Sequence, residues 1–150
     1  MPTSARNVSV AVTTVPLRFS PQGWKLDPGE LIERLVPGVR ALYLNSPNNP
    51  TGWTITREEQ RAILEHCRRH GIWIFADDAY ERLYFGEGGV APSFLAMADA
   101  ADRLVSANTF SKSWSMTGWR LGWLVLPSSL TADLTVNPAK IVGLANQERP

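Results

Sequence analysis

Two short apolar runs, residues 39–44 and 72–76, flank one amphipathic helical stretch, and that strand-helix-strand order constrains the chain more than any other feature. Residues 39–44 show little periodicity, which suits a strand covered on both faces. They empty into Ser46-Pro47-Asn48-Asn49-Pro50-Thr51-Gly52, a rigid turn at the strand's carboxyl end. Thr56 and Glu59 form a capping box, and the helix they open runs to His70, with Ile63 and Cys67 at i and i+4 on its buried side. Gly71 is the C-terminal stop. Residues 72–76 make the next covered strand, ending at Asp77-Asp78-Ala79-Tyr80. The crossover of such a βαβ unit is right-handed in nearly all known cases, so the turns that follow both strands emerge on one edge of a parallel sheet.

The flanking segments extend this sheet. Residues 104–107 read as a third strand leading to Lys112. Residues 121–126 follow too soon for a helical crossover, so an antiparallel strand is expected there. Upstream, Val8, Val10 and Val12 alternate with small or polar residues over 8–15, a half-buried pattern for an edge strand or a frayed terminus, closed by Pro16. Asp27-Pro28-Gly29-Glu30 supplies an N-cap, a proline at the first helical position and a capping-box acid, predicting a short helix over 31–36 that Pro37-Gly38 stops. Residues 86–92 are loop-like, 93–101 are a candidate helix, and 130–134 begin another that Asn137-Pro138 interrupts. The fold class that follows is α/β: a three-layer α/β/α arrangement with a mainly parallel sheet and one antiparallel strand, best supported over 39–127.

Composition narrows the function classes. The chain has 150 residues, with 15 basic against 14 acidic, a net charge of +1 that argues against a basic nucleic-acid stripe or a membrane-surface patch. A lone Cys67 excludes an internal disulfide framework, and with only His66 and His70 nearby no zinc cluster assembles. A reducing cytoplasm is the default location. No apolar run approaches membrane-span length, and the N-terminus lacks a secretory-signal pattern. Asn7-Val8-Ser9 matches the glycosylation triplet, which means little without a signal peptide.

The chemistry collects at the strand ends, where open parallel sheets bind ligands. Three such ends carry Asn49, Asp77 with Tyr80, and Lys112, and Arg120 returns near the last. Lys112 stands among hydroxyls in Thr109-Phe110-Ser111-Lys112-Ser113-Trp114-Ser115, a poor setting for a solubilising cation and a good one for a nucleophile. An amine, a carboxylate, an amide, a phenol and a guanidinium with hydroxyls match the needs of pyridoxal phosphate. That cofactor has an aldehyde, a ring nitrogen that must stay protonated, a phenolic oxygen and a phosphate dianion.

On Ser46 to Gly52, Asp77 to Tyr80 and Thr109 to Trp123, the chain resembles the large domain of class I/II aminotransferases, pyridoxal-phosphate enzymes of fold type I. The run Met116-Thr117-Gly118-Trp119-Arg120 at a fixed offset from Lys112, with Asp77 and Tyr80 upstream in order, carries most of that resemblance. It implies that 1–150 is a partial large domain and that Lys112 bonds the cofactor and moves the substrate proton. Asp77 then faces the ring nitrogen, Asn49 and Tyr80 the phenolic oxygen, and Thr109, Ser111 and Arg120 the phosphate. It also implies amino acid and 2-oxo acid substrates, an active site at a homodimer interface, and a candidate cis bond at Asn49-Pro50. Plainer readings stand beside these. Asp77 serves as an N-cap, Tyr80 as core, and Arg120 as a surface ion-pair partner. Asp78 reads as a capping or surface acid, and Trp114, Trp119 and Trp123 as packing.

Full members of that family carry further parts: a phosphate-cradling loop, a ring-stacking aromatic and a carboxylate-binding arginine. None is found in this sequence. Amino-group transfer is therefore read as the family's chemistry, with a lyase or synthase on the same fold and a non-catalytic fragment or interaction module as alternatives. A nicotinamide-binding domain is disfavoured because no G-x-G-x-x-G follows a strand.

Overall fold

The computed structural model describes residues 10–130. Its main sheet has four strands, β3 (Ala41–Asn45), β4 (Trp73–Asp77), β5 (Leu104–Thr109) and β6 (Gly122–Val125), in that spatial order. The pairings β3/β4 and β4/β5 are parallel and β5/β6 is antiparallel, as the spacing after Lys112 requires. A separate hairpin, β1 (Arg18–Ser20) with β2 (Gly23–Lys25), precedes it. This hairpin had no forecast, whereas residues 10–15 of the stretch read as an edge strand or a frayed terminus run without a ladder partner. Valine alternation alone supplies no neighbour to pair with. Residues 8 and 9 of that stretch, the glycosylation triplet and residues 131–134 of the expected helix lie outside the described residues, while 128–130 are helical.

Helix α1 (Pro28–Arg34) starts where the cap motif predicts, with the Asp27 carboxylate accepting from the Gly29 and Glu30 amides. The return half of that capping box is not made. The Glu30 carboxylate instead takes Arg18 and Arg34, two cations that outbid a backbone amide. Helix α2 (Arg57–His70) closes its own box in full, Thr56 and Glu59 each accepting the other's amide. It ends on Gly71 at φ 64°, a left-handed stop where an added Cβ would also meet the Arg103 guanidinium. Residues 93–101 form only a short 3₁₀ turn at Phe94–Ala96, capped by Ser93.

Strand register decides the two faces. Leu44 lies beside Ala76, and Ile74 beside Leu104, on one face, where they join Ile63, Leu64 and Cys67 of α2, Leu31, Leu35 and Phe94 in the core. Cys67 is buried and its thiol is pushed up to about 11 by that burial, so it packs as a small apolar group. On the opposite face Tyr43 and Phe75 are each 41% exposed, which corrects the expectation that 39–44 and 72–76 are covered on both sides. Among the described residues the helices lie on one face, so two of the three expected layers are seen. No helix among the described residues is long and apolar enough to cross a membrane.

Ile63 is fully buried at the centre of this core. Ile63→Ala is expected to lower the free energy of unfolding in urea by about 2–5 kcal/mol, while Glu65→Ala on the exposed side of the same helix stays within about 0.5 kcal/mol of the parent.

Candidate active site

The turn after β3 is built from its own polar groups. The Asn45 side chain accepts the Asn49 amide at 2.9 Å and donates to the Asp77 carbonyl at 3.1 Å, tying the turn to the end of β4. Buried Ser46 accepts the Ile55 amide on its hydroxyl at 3.0 Å, and the Asn48 amide donates to the Trp53 carbonyl at 2.8 Å. Asn49-Pro50 is cis, as the resemblance implied, and so is Ser46-Pro47. With its backbone held this way, Asn49 is free to extend its side chain, whose Nδ2 donates to the Tyr80 hydroxyl at 2.9 Å.

The turn after β4 carries three of the remaining groups. Asp77 is half-buried, with Oδ1 accepting the Ala79 amide at 3.2 Å and Oδ2 accepting the Tyr43 hydroxyl at 2.5 Å. Asp78 goes to the other side. It is 4% exposed and its Oδ2 accepts the Ser106 hydroxyl at 2.6 Å and the Ser93 hydroxyl at 3.2 Å. Burial raises its pKa above the ordinary carboxylate value, and the two hydroxyls only partly oppose this. The reading of Asp78 as a surface acid is therefore wrong: strand alternation carries it under the helices.

The lysine loop leaves β5 through Thr109, the N-cap of a single helical turn, α3 (Phe110–Ser113). The Thr109 hydroxyl accepts the Ser111 amide at 3.1 Å and donates to the Leu121 carbonyl at 3.1 Å, so it is committed to the loop's own backbone. Ser111 is buried, and the Ser113 hydroxyl is buried without a partner among the described residues. Lys112 is exposed, with Nζ 5.7 Å from the centre of the Tyr80 ring. Arg120 closes the loop in a left-handed conformation, φ 52°, which a non-glycine residue adopts at a cost of about 1 kcal/mol. Its guanidinium donates to the Thr117 carbonyl at 3.2 Å, and no carboxylate lies within ion-pair reach of it among the described residues. Gly122 follows opposite Thr109, and a Cβ there would come within 2.6 Å of the Asn108 carbonyl oxygen.

Asn49 thus bonds Tyr80, Lys112 lies over the Tyr80 ring, and Asp77 stands three residues from Tyr80 in the same turn. Thr109 and Ser111 lie at the loop's base. Arg120 lies at its exposed end. Of the tryptophans, Trp114 and Trp123 do pack, with ring centres 5.9 Å apart, whereas Trp119 is 69% exposed. Tyr43 was not singled out from sequence. Its one signal was a polar-tipped aromatic two residues before the strand end, on the same face as Asp77.

The sequence profile of the family described as aminotransferase class I and II matches residues 1–143. The arginine–pyruvate transaminase of Pseudomonas aeruginosa is 39% identical over 123 residues, covering 82% of this chain and 30% of that protein. An aspartate aminotransferase of Pyrococcus horikoshii is 35% identical over 117 residues, 78% of this chain and 29% of that one. The solved structure of N-succinyldiaminopimelate aminotransferase from Mycobacterium tuberculosis superposes with a TM-score of 0.75 at 33% identity, over 85% of this chain and 33% of the other. This chain spans about 30% of the length of the curated relatives it matches.

The raised pKa of Asp78 has a defined sign. Just above the ordinary carboxylate range the folded chain still holds the proton that the unfolded chain has lost, so this group's contribution is full at lower pH and declines as pH rises through that window. Asp78→Asn keeps an acceptor for Ser106 and removes the titration. Thermal unfolding between about pH 4 and pH 7 should show the variant gaining on the parent as pH rises, with a constant difference speaking against a buried titrating group.

Proposed function

Because the chain belongs to the class I and II aminotransferase family, we propose that it forms the cofactor-holding core of a pyridoxal-phosphate-dependent aminotransferase, one that moves an amino group from an amino acid to a 2-oxo acid. The observation that carries this reading is the convergence at one sheet edge of the Asn49 amide, the Tyr80 phenol and the Lys112 amine, beside Asp77.

The donor set fits the cofactor. The Tyr80 hydroxyl accepts from Asn49 and so keeps its own proton to give to a phenolic oxygen. Neither Lys112 nor Arg120 is tied to a carboxylate among the described residues, leaving an amine for the aldehyde and a planar fork for the phosphate. The Ser113 hydroxyl, next to the lysine, is a polar atom unsatisfied among the described residues, and Ser111 and Thr109 shape the loop base. Asp77 offers a carboxylate to the ring nitrogen and keeps its proton there. Bound pyridoxal phosphate supplies an electron sink for the bonds at the substrate's α-carbon. Lys112 Nζ would hold the cofactor and would carry a proton to and from the substrate's α-carbon.

On this reading residues 1–150 are part of the large domain, with the core at 39–127. The working protein is a homodimer in the cytoplasm acting on small-molecule substrates.

Titrating the purified protein with pyridoxal phosphate should raise a visible absorbance band that Lys112→Ala abolishes. With an amino acid and a 2-oxo acid added, the exchanged pair should form, at a rate reduced on the order of 10³-fold or more by the same change. A parent protein that forms no band would leave the non-catalytic reading in its place, and pyruvate released from a sulfur amino acid without an acceptor would favour the lyase.

A further inference from the structure

We propose that Tyr43 is a positioning residue for Asp77, its hydroxyl locking the carboxylate in the orientation that faces the cofactor's ring nitrogen. The inference rests on the aminotransferase reading of the site and adds to it a residue from a strand that no motif of the sequence marks.

The register supplies the geometry. Asn45 pairs with Asp77 and Tyr43 with Phe75, so Tyr43 and Asp77 lie on one face as diagonal neighbours, a span that a tyrosine bridges and a shorter side chain does not. The Tyr43 hydroxyl reaches Oδ2 at 2.5 Å, within the range of a strong O–H to carboxylate bond. The other oxygen, Oδ1, is held by the Ala79 amide at 3.2 Å. Donors from two different elements therefore fix the rotation of the carboxylate about its last bond. Each oxygen keeps a further lone pair for an incoming N–H.

The contact is separable from the fold. The main chain at Asp77 is held independently, its carbonyl accepting the Asn45 side chain at 3.1 Å and the Ser46 amide at 3.2 Å. Losing the phenolic hydroxyl thus leaves the strand end in place and frees only the carboxylate. Burial first, then Asp77, raises the phenol's pKa far above its ordinary value, so Tyr43 remains a donor at every working pH. Among the described residues, the other charged and titratable groups near this carboxylate are Asp78, turned to the opposite face, Tyr80 in the same turn, and Lys112 of α3 over the Tyr80 ring.

Tyr43→Phe tests this. Pyridoxal phosphate titrations should show binding weakened about tenfold, and the pH midpoint of the visible band, which reports the charge beside the ring, should move. In the cofactor-free protein, a double-mutant cycle of Tyr43→Phe with Asp77→Ala in urea should be non-additive by about tenfold in the unfolding constant. An additive cycle overturns the proposal. So does a coupled cycle with unchanged affinity and midpoint, because the contact is then structural only. A parent protein with no band fails the aminotransferase reading itself, and the cofactor-free cycle distinguishes that failure from a missing Tyr43–Asp77 contact; the ring-nitrogen role falls with it.

Discussion

The register of β4 between its two parallel neighbours is the constraint on which the site depends. Asn45 stands beside Asp77, and Asp77 beside Ala107, so β3 and β4 end at one level, β5 runs two residues further to Thr109, and three turns leave from one edge. Side chains along a strand alternate faces, and the two adjacent aspartates therefore part company. Asp77 points to the face that carries Tyr43, and Asp78 goes beneath the helices to Ser106 and Ser93. A slip of one residue would exchange them, burying the carboxylate the site needs and exposing the one that ties β4 to β5.

The loops on that edge are stiff because their backbones are satisfied locally. Asn45, Ser46 and Asn48 bind the first turn to itself and to β4, and Thr109 caps the lysine turn while reaching across to Leu121. Such self-contained turns leave Asn49, Tyr80 and Lys112 to make contacts beyond their own segments. Gly122 belongs to this device: only a residue without a Cβ lets β6 approach the Asn108 carbonyl closely enough to pair with Thr109.

Two acids of opposite temper hold the far parts of the domain. Asp102 takes both nitrogens of the Arg68 fork at 2.6 Å, and that pairing lowers its pKa, so its contribution is present above the ordinary carboxylate range and fades as the solution becomes acidic. Asp78 has hydroxyl partners and, among the described residues, no cation, and burial drives it the other way. Placed at opposite ends of the sheet, the first ties α2 to the loop before β5, and the second ties the carboxyl ends of β4 and β5 together.

The local elements were legible in the chain itself. Thr56 with Glu59, the stop at Gly71, the apolar runs around them and the short link from Lys112 to β6 each encode a structure that a few neighbouring residues suffice to specify. The order of Asn49, Asp77, Tyr80, Lys112 and Arg120 likewise needed no coordinates, because βαβ geometry sends consecutive strand ends to one edge. What only the folded chain decided was lateral: Tyr43 reaching Asp77, Asp78 meeting two serines, Glu30 taking Arg18 in place of its own cap. Those pairings join residues 12 to 34 positions apart through strand register and packing, and no local pattern carries that information.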